Sequence, residues 1–126
     1  MGLFRFDETQ VAGLLTDEPA PLGKGAGPSP SQLLLAAVAN CLSAGLLFAL
    51  RKFHNQPGRL RAEATTRLER DPAGRWHITK AWVELHLAEG ADQHQQLPRI
   101  LEQFEQYCIV TQSVRAGIDV EVTVKD

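Results

Sequence analysis

The chain has 126 residues, of which 44% are hydrophobic and 22% charged, an ordinary globular composition that excludes a disordered or fibrous protein. At this length about two-thirds of the unfolded surface can be buried, so a single domain spanning residues 1–126 is expected without staples. A formal charge of −2 and a pI near 6.1 supply no basic field for phosphates, so no nucleic-acid partner is expected. Two cysteines are too few for a disulfide scaffold or a four-cysteine zinc site. Residues 1–16 lack the basic start and apolar run of a signal peptide, so the expected location is the cytoplasm.

In chain order, Leu3–Phe6 and Val11–Leu15 are short apolar runs separated by a polar turn, which predicts a small hairpin. Pro19–Pro30 carries four prolines and three glycines in twelve residues and reads as a loop. Residues 1–29 therefore form an N-terminal section of strands and loop. Ser29 suits an N-cap and Pro30 the first helical position, where a missing N–H costs nothing. The helix is expected to run to about Phe53, with Arg51, Lys52 and His54 at its negative end and Asn55, Pro57 and Gly58 as stop signals.

Leu33–Leu50 is eighteen residues without a charge, long enough to span a membrane. Asn40, Ser43 and Gly45 interrupt its centre and five of the residues are alanine, so it reads instead as a helix buried in protein, with no membrane partner. Leu34 and Leu46 are expected to back onto the core.

Leu60 to Glu69 alternates apolar or small with polar residues, the pattern of a half-buried strand. Asp71-Pro72-Ala73-Gly74 is a turn, and Trp76–Leu87 returns as the second strand of a hairpin, changing phase near Thr79–Ala81 as a bulge would cause. Trp76 and Trp82 are expected to be core or interface anchors. Leu97, Ile100, Leu101 and Phe104 predict a second helix to about Tyr107, and Val110–Ala116 a short third one closed by Gly117. Ile118, Val120, Val122 and Val124 predict a final strand. The order is that of an α+β chain. One small protomer cannot cover all sides of the long helix, which implies a homodimer around it.

Cys41 falls in the middle of the apolar helix and Cys108 at the end of the second. They suit two small core residues, or a redox pair in which one thiolate is oxidised and the other condenses with it. His54, His77, His86 and His94 share no metal-binding spacing, so no metal is expected. Gly23, Gly25 and Gly27 precede a helix without the strand that a phosphate-binding loop requires.

Two stretches carry a resemblance. GPSPSQLLLAAVANCLSAGL (residues 27–46) and YCIVTQSVRAGIDVEVTV (residues 107–124) resemble the OsmC/Ohr family of hydroperoxide-handling proteins. There a P-x-x-L-L-x-A-A-x-x-x-C helix bears the reactive cysteine and a second cysteine precedes the last strand. DEPAPLGKGAGPSP (residues 17–30) is similar to the family's acidic, Gly-rich lead into that helix. The resemblance implies an intertwined α+β homodimer with the long cysteine-bearing helices at its centre, packed against antiparallel strands. It implies thiol-dependent reduction of organic hydroperoxides or hydrogen peroxide in an oxidative stress response. Cys41 would be the peroxidatic and Cys108 the resolving cysteine. An external dithiol or lipoyl-type compound would be the reductant, with no resident cofactor.

The chain departs from the family's hydroperoxidases at Ser31, where they have glutamate, and at Ile109, where proline is common. It also lacks a clear match to their N-terminal arginine. Arg5, Arg115 and His54 are the candidates for assisting the thiolate in its place. The alternative reading is a non-catalytic or weakly active protein that binds a small apolar ligand in the dimer crevice.

Overall fold

A computed structural model describes residues 1–7, 9–56, 58–88 and 94–125. The expected N-terminal hairpin forms from strands β1 (Gly2–Phe4) and β2 (Leu14–Thr16), antiparallel, with Leu3 opposite Leu15. The loop behind it is organised by Asp17. Its buried carboxylate accepts backbone N–H groups from Ala26 and Lys24, at 3.1 and 3.0 Å, and from Glu18 at 2.9 Å. Those bonds, Ala26 and Lys24 foremost, hold the carboxyl below its ordinary pKa. Gly27 lets the loop return against β2, since a Cβ there would lie 2.3 Å from the Leu15 carbonyl oxygen.

Helix α1 (Pro30–Lys52) opens with a reciprocal cap. The Gln32 N–H donates to Ser29 Oγ at 3.2 Å, and the Ser29 N–H donates to Gln32 Oε1 at 2.9 Å. The polar interruptions are absorbed locally: Asn40 is exposed, and Ser43 Oγ donates to the Ala39 carbonyl at 2.8 Å. Val38, Ala39, Leu42, Leu46 and Leu50 form one buried stripe. Leu46 is expected and found in the core, but Leu34 is 41% exposed, a correction to its expected burial. Leu34 sits four residues ahead of the first buried position, where no core reaches it.

The helix stops as predicted, although Pro57 lies outside the described residues. His54 takes the left-handed conformation (φ 65°), and the Asn55 N–H donates back to the Leu50 carbonyl at 3.0 Å. The Asn55 side chain then grips the backbone of Gln95 through Nδ2 and Oδ1, at 3.0 and 2.6 Å.

Strands β3 (Leu60–Arg70) and β4 (Trp76–Leu87) form the hairpin. Its turn is held by Asp71 Oδ1, which accepts the N–H groups of Ala73 and Arg75, each at 2.9 Å. Along β4 the half-buried apolar positions shift from Ile78 to Val83 and Leu85, the expected change of phase. Trp76 and Trp82 are not core residues: they are 61% and 42% exposed. Each ring carries a cation instead, with Arg70 over Trp76 at 4.6 Å and Lys80 over Trp82 at 5.1 Å.

Helix α2 (Leu97–Gln103) passes into a 3-10 turn (Phe104–Tyr107), and Cys108 then opens helix α3 (Ile109–Ala116), which ends at Gly117. The expected final strand does not form in the single chain. Ile118, Val120, Val122 and Val124 are 64%, 75%, 81% and 92% exposed, with no strand paired to them among the described residues. Period-two apolar patterning makes a strand only where a neighbour completes the hydrogen-bond ladder.

The described chain falls into two compact units, one of Met1–Ala36 with Thr65–Trp82 and one of Ala37–Ala64 with Val83–Asp126. The core of the second is built from Leu46, Leu50, Leu97 and Ile100, continued by Val38, Leu42 and Cys108. α1 is long and apolar enough to cross a membrane by length and composition. Its buried stripe makes it the central helix of this core.

Candidate redox site

Beside the buried stripe, α1 presents a second face. Cys41, Gly45, Phe48 and Lys52 follow at intervals of four, three and four residues, which stacks them along the helix. Together with residues from α2 and the 3-10 turn they line a cavity of about 570 Å3. Cys41 is half-buried and reaches this cavity; Cys108, on the same wall, is 1% exposed.

The two cysteines, 67 positions apart, meet here. Cys108 sits between the 3-10 turn and α3, anchored by its N–H to the Glu105 carbonyl at 3.2 Å and by its own carbonyl, which accepts the Gln112 N–H at 2.9 Å. Its Sγ lies 3.7 Å from the Cys41 carbonyl oxygen and 3.6 Å from that of Phe104, and the thiol donates toward both. Gly45, one turn beyond Cys41, makes this approach possible. A Cβ there would stand 2.9 Å from Cys108 Sγ. The sequence reading treats Gly45 only as an interruption of the apolar run, because its role depends on a partner from a distant segment.

Burial is the main cause that pushes the Cys108 thiol up to about 11. The charge of Cys41 and a hydrogen bond with it come next, followed by the charge of Glu105; Arg115 acts weakly in the opposite direction. The paired thiols are therefore unequal: Cys41 is open to the cavity, whereas Cys108 is protonated and enclosed.

The three candidate assisting residues part company. Arg115 is beside the site, but its Nη2 donates to Glu105 Oε1 at 3.1 Å, so its charge is already paired. His54 is exposed in the turn after α1 and is not on the cavity wall. Arg5 is exposed just after β1 in the first unit, whereas every residue of the cavity wall belongs to the second. The charged residue on that wall is Lys52, which the sequence reading assigns only to the helix's negative end. Elsewhere in the second unit, ligand-type atoms of Glu63, Glu84 and His86 lie within 4.8 Å of one another, a convergence invisible in the histidine spacing. His86 Nε2 stands 3.5 Å from Glu84 Oε2 and 3.9 Å from Glu63 Oε2, as an ion pair would.

An α+β chain with a thiol pair between its longest helix and a short C-terminal helix defines a class. The chain belongs to the OsmC-like protein family, whose model matches residues 23–123. Among solved structures it is similar to an osmotic stress induced and detoxification response protein of Psychrobacter arcticus, at 22% identity and a TM-score of 0.68, over 80% of this chain and 71% of that one. An organic hydroperoxide resistance protein and redox protein of Legionella pneumophila is similar at 18% identity and a TM-score of 0.62, over 88% and 80%. An OsmC-like protein of unknown function from Vibrio cholerae is similar at 20% identity and a TM-score of 0.60, over 75% and 64%. At these identities the likeness is one of fold. No curated protein matches the chain.

Proposed function

We propose that this protein is a thiol-dependent hydroperoxide reductase working through Cys41 and Cys108. The observation that carries the reading is the placement of Cys108 Sγ 3.7 Å from the Cys41 carbonyl, with both cysteines on the wall of one largely apolar cavity. The Cys41 thiolate attacks the distal oxygen of a bound hydroperoxide. The O–O bond breaks, the alkoxide leaves and takes a proton to become the alcohol, and Cys41 becomes a sulfenic acid. The Cys108 sulfur then attacks the Cys41 sulfur. The S–O bond breaks, the Cys108 proton leaves with the hydroxyl as water, and a disulfide forms. An external dithiol, of lipoyl type in this reading, reduces the disulfide and is itself oxidised to a disulfide. Cys41 reacts first because it is accessible, while the Cys108 thiolate is suppressed by burial.

One equivalent of cumene hydroperoxide should consume both free thiols and yield a Cys41–Cys108 disulfide by peptide mass spectrometry. Thiols that survive this treatment would refute the reading and leave the cavity as a binding site for an apolar ligand.

The protein is further proposed to act as a soluble homodimer in the cytoplasm. The support is the exposed row Ile118, Val120, Val122 and Val124 together with Phe48, 72% exposed. Apolar surface of this extent costs about 25 cal/mol per Å2 when left wet, and a second copy would cover it. Sedimentation should give twice the chain mass at micromolar concentration; a well-folded monomer there would count against the dimer.

A further inference from the structure

We propose that Glu63, Glu84 and His86 form a zinc site on the β3–β4 hairpin. None of the three lines the cavity that holds the thiols. Strand periodicity sets the site up. Glu84 and His86 are two positions apart on β4 and so project from one face. Val83, Leu85 and Leu87 alternate with them and pack against the core, so the face of Glu84 and His86 is the one turned away from it. Glu63 comes from the neighbouring strand β3. One ligand-type atom of each residue lies within 4.8 Å of the other two.

The spacing fits a metal ion better than a shared proton. His86 Nε2 stands 3.5 Å from Glu84 Oε2 and 3.9 Å from Glu63 Oε2. A proton on Nε2 would let either carboxylate close to about 2.7–2.9 Å. Instead Nε2 is closed to solvent and has no hydrogen-bond partner among the described residues. Around Zn2+, with bonds of about 2.0–2.2 Å at tetrahedral angles, neighbouring ligand atoms stand about 3.4 Å apart. Both glutamates are exposed, so rotation of their side chains can close the remaining gap. One imidazole nitrogen with two carboxylates suits Zn2+, whereas Ca2+ and Mg2+ favour oxygen ligands throughout. The two carboxylates also neutralise both charges of the ion. Arg61 Nη1 pairs with Glu63 Oε1, which steadies that carboxylate and leaves Oε2 facing His86. Water completes the coordination from the exposed side.

The test is isothermal titration of ZnCl2 into the full chain after removal of metals with a chelator. One equivalent should bind at micromolar zinc. His86→Ala and Glu84→Gln should each weaken binding at least about tenfold. His77→Ala should leave it unchanged, because His77 is held by Asp71 at 2.7 Å in the hairpin turn. Glu84→Gln keeps the size and shape of the side chain, so it decides the matter should His86→Ala fold poorly. Cobalt substitution separates this site from the thiols: Co2+ should show the visible bands of a four-coordinate ion without a thiolate-to-metal band in the near ultraviolet. No binding at micromolar zinc, binding that survives both substitutions, or a thiolate band would each overturn the proposal. The peroxidase reading stands or falls independently, since it is read from thiol consumption by hydroperoxide in metal-free protein.

Discussion

Cys41→Ser is expected to abolish hydroperoxide consumption and disulfide formation together, whereas Cys108→Ser should permit a single turnover and then stall. The asymmetry follows from the environments of the two sulfurs. Cys41 is half-buried on the cavity wall, where a hydroperoxide can reach it. Cys108 is 1% exposed and burial pushes its thiol up to about 11, so it is both shielded from solvent oxidants and almost wholly protonated at neutral pH. Without Cys41 nothing accessible remains to attack the peroxide. Without Cys108, the Cys41 sulfenic acid has no thiol beside it and persists or is over-oxidised. Stopped-flow peroxide consumption gives the first half of the test, and dimedone labelling followed by mass spectrometry gives the second. Wild-type activity in Cys41→Ser would rule out the proposed order of reaction.

Gly45→Ala is expected to separate the two steps by slowing disulfide formation at least about tenfold, so that sulfenic acid accumulates on Cys41. The new Cβ would begin 2.9 Å from Cys108 Sγ, against an optimal contact of about 3.5–4.0 Å. The sulfur must move by about 0.6 Å or more, and displacements of about 1 Å can cost a hundredfold where reacting atoms are positioned for attack. Stability is a poor guide to this defect. Alanine gains about 0.5–1 kcal/mol over glycine within a helix, while overpacking costs about 1–3 kcal/mol, so the net loss spans about 0–2.5 kcal/mol and does not report on the position of the sulfur. The decisive quantity is the ratio of dimedone-trapped Cys41 to disulfide at early times. A variant that closes its disulfide at the wild-type rate would show that Gly45 does not position Cys108.

Where local chemistry dictated structure, the sequence was a good guide. Ser29 and Pro30 mark the start of α1 because capping and the missing proline N–H act within one turn. The turn at Asp71–Gly74 is set by its own side-chain and backbone bonds. Alternation marked β3 and β4, since their neighbour lies in the adjacent strand across a short turn. The same alternation failed for Ile118–Val124, because nothing local supplies the partner that a strand needs. Of the two roles expected for the tryptophans, burial in the core is not found: their rings lie open on the hairpin beneath Arg70, Arg67 and Lys80, which leaves anchoring an interface as the expected role.

By itself, then, the sequence determined the helices, the hairpins and the two cysteine contexts, because each depends on residues only a few positions apart. Tertiary structure alone decided that Cys108 would enclose its sulfur against the Cys41 turn, that Gly45 would leave the space for it, and that Arg115 would spend its charge on Glu105. It also decided that Lys52, placed only at a helix end by its sequence position, would stand on the cavity wall shared with both thiols. These are distances between segments as many as 67 residues apart. They depend on how α1 packs against α2 and the 3-10 turn, and the physical cause is the burial of Leu46, Leu50, Leu97 and Ile100 in one core. That burial is non-directional, so no local pattern encodes which side chains it brings face to face.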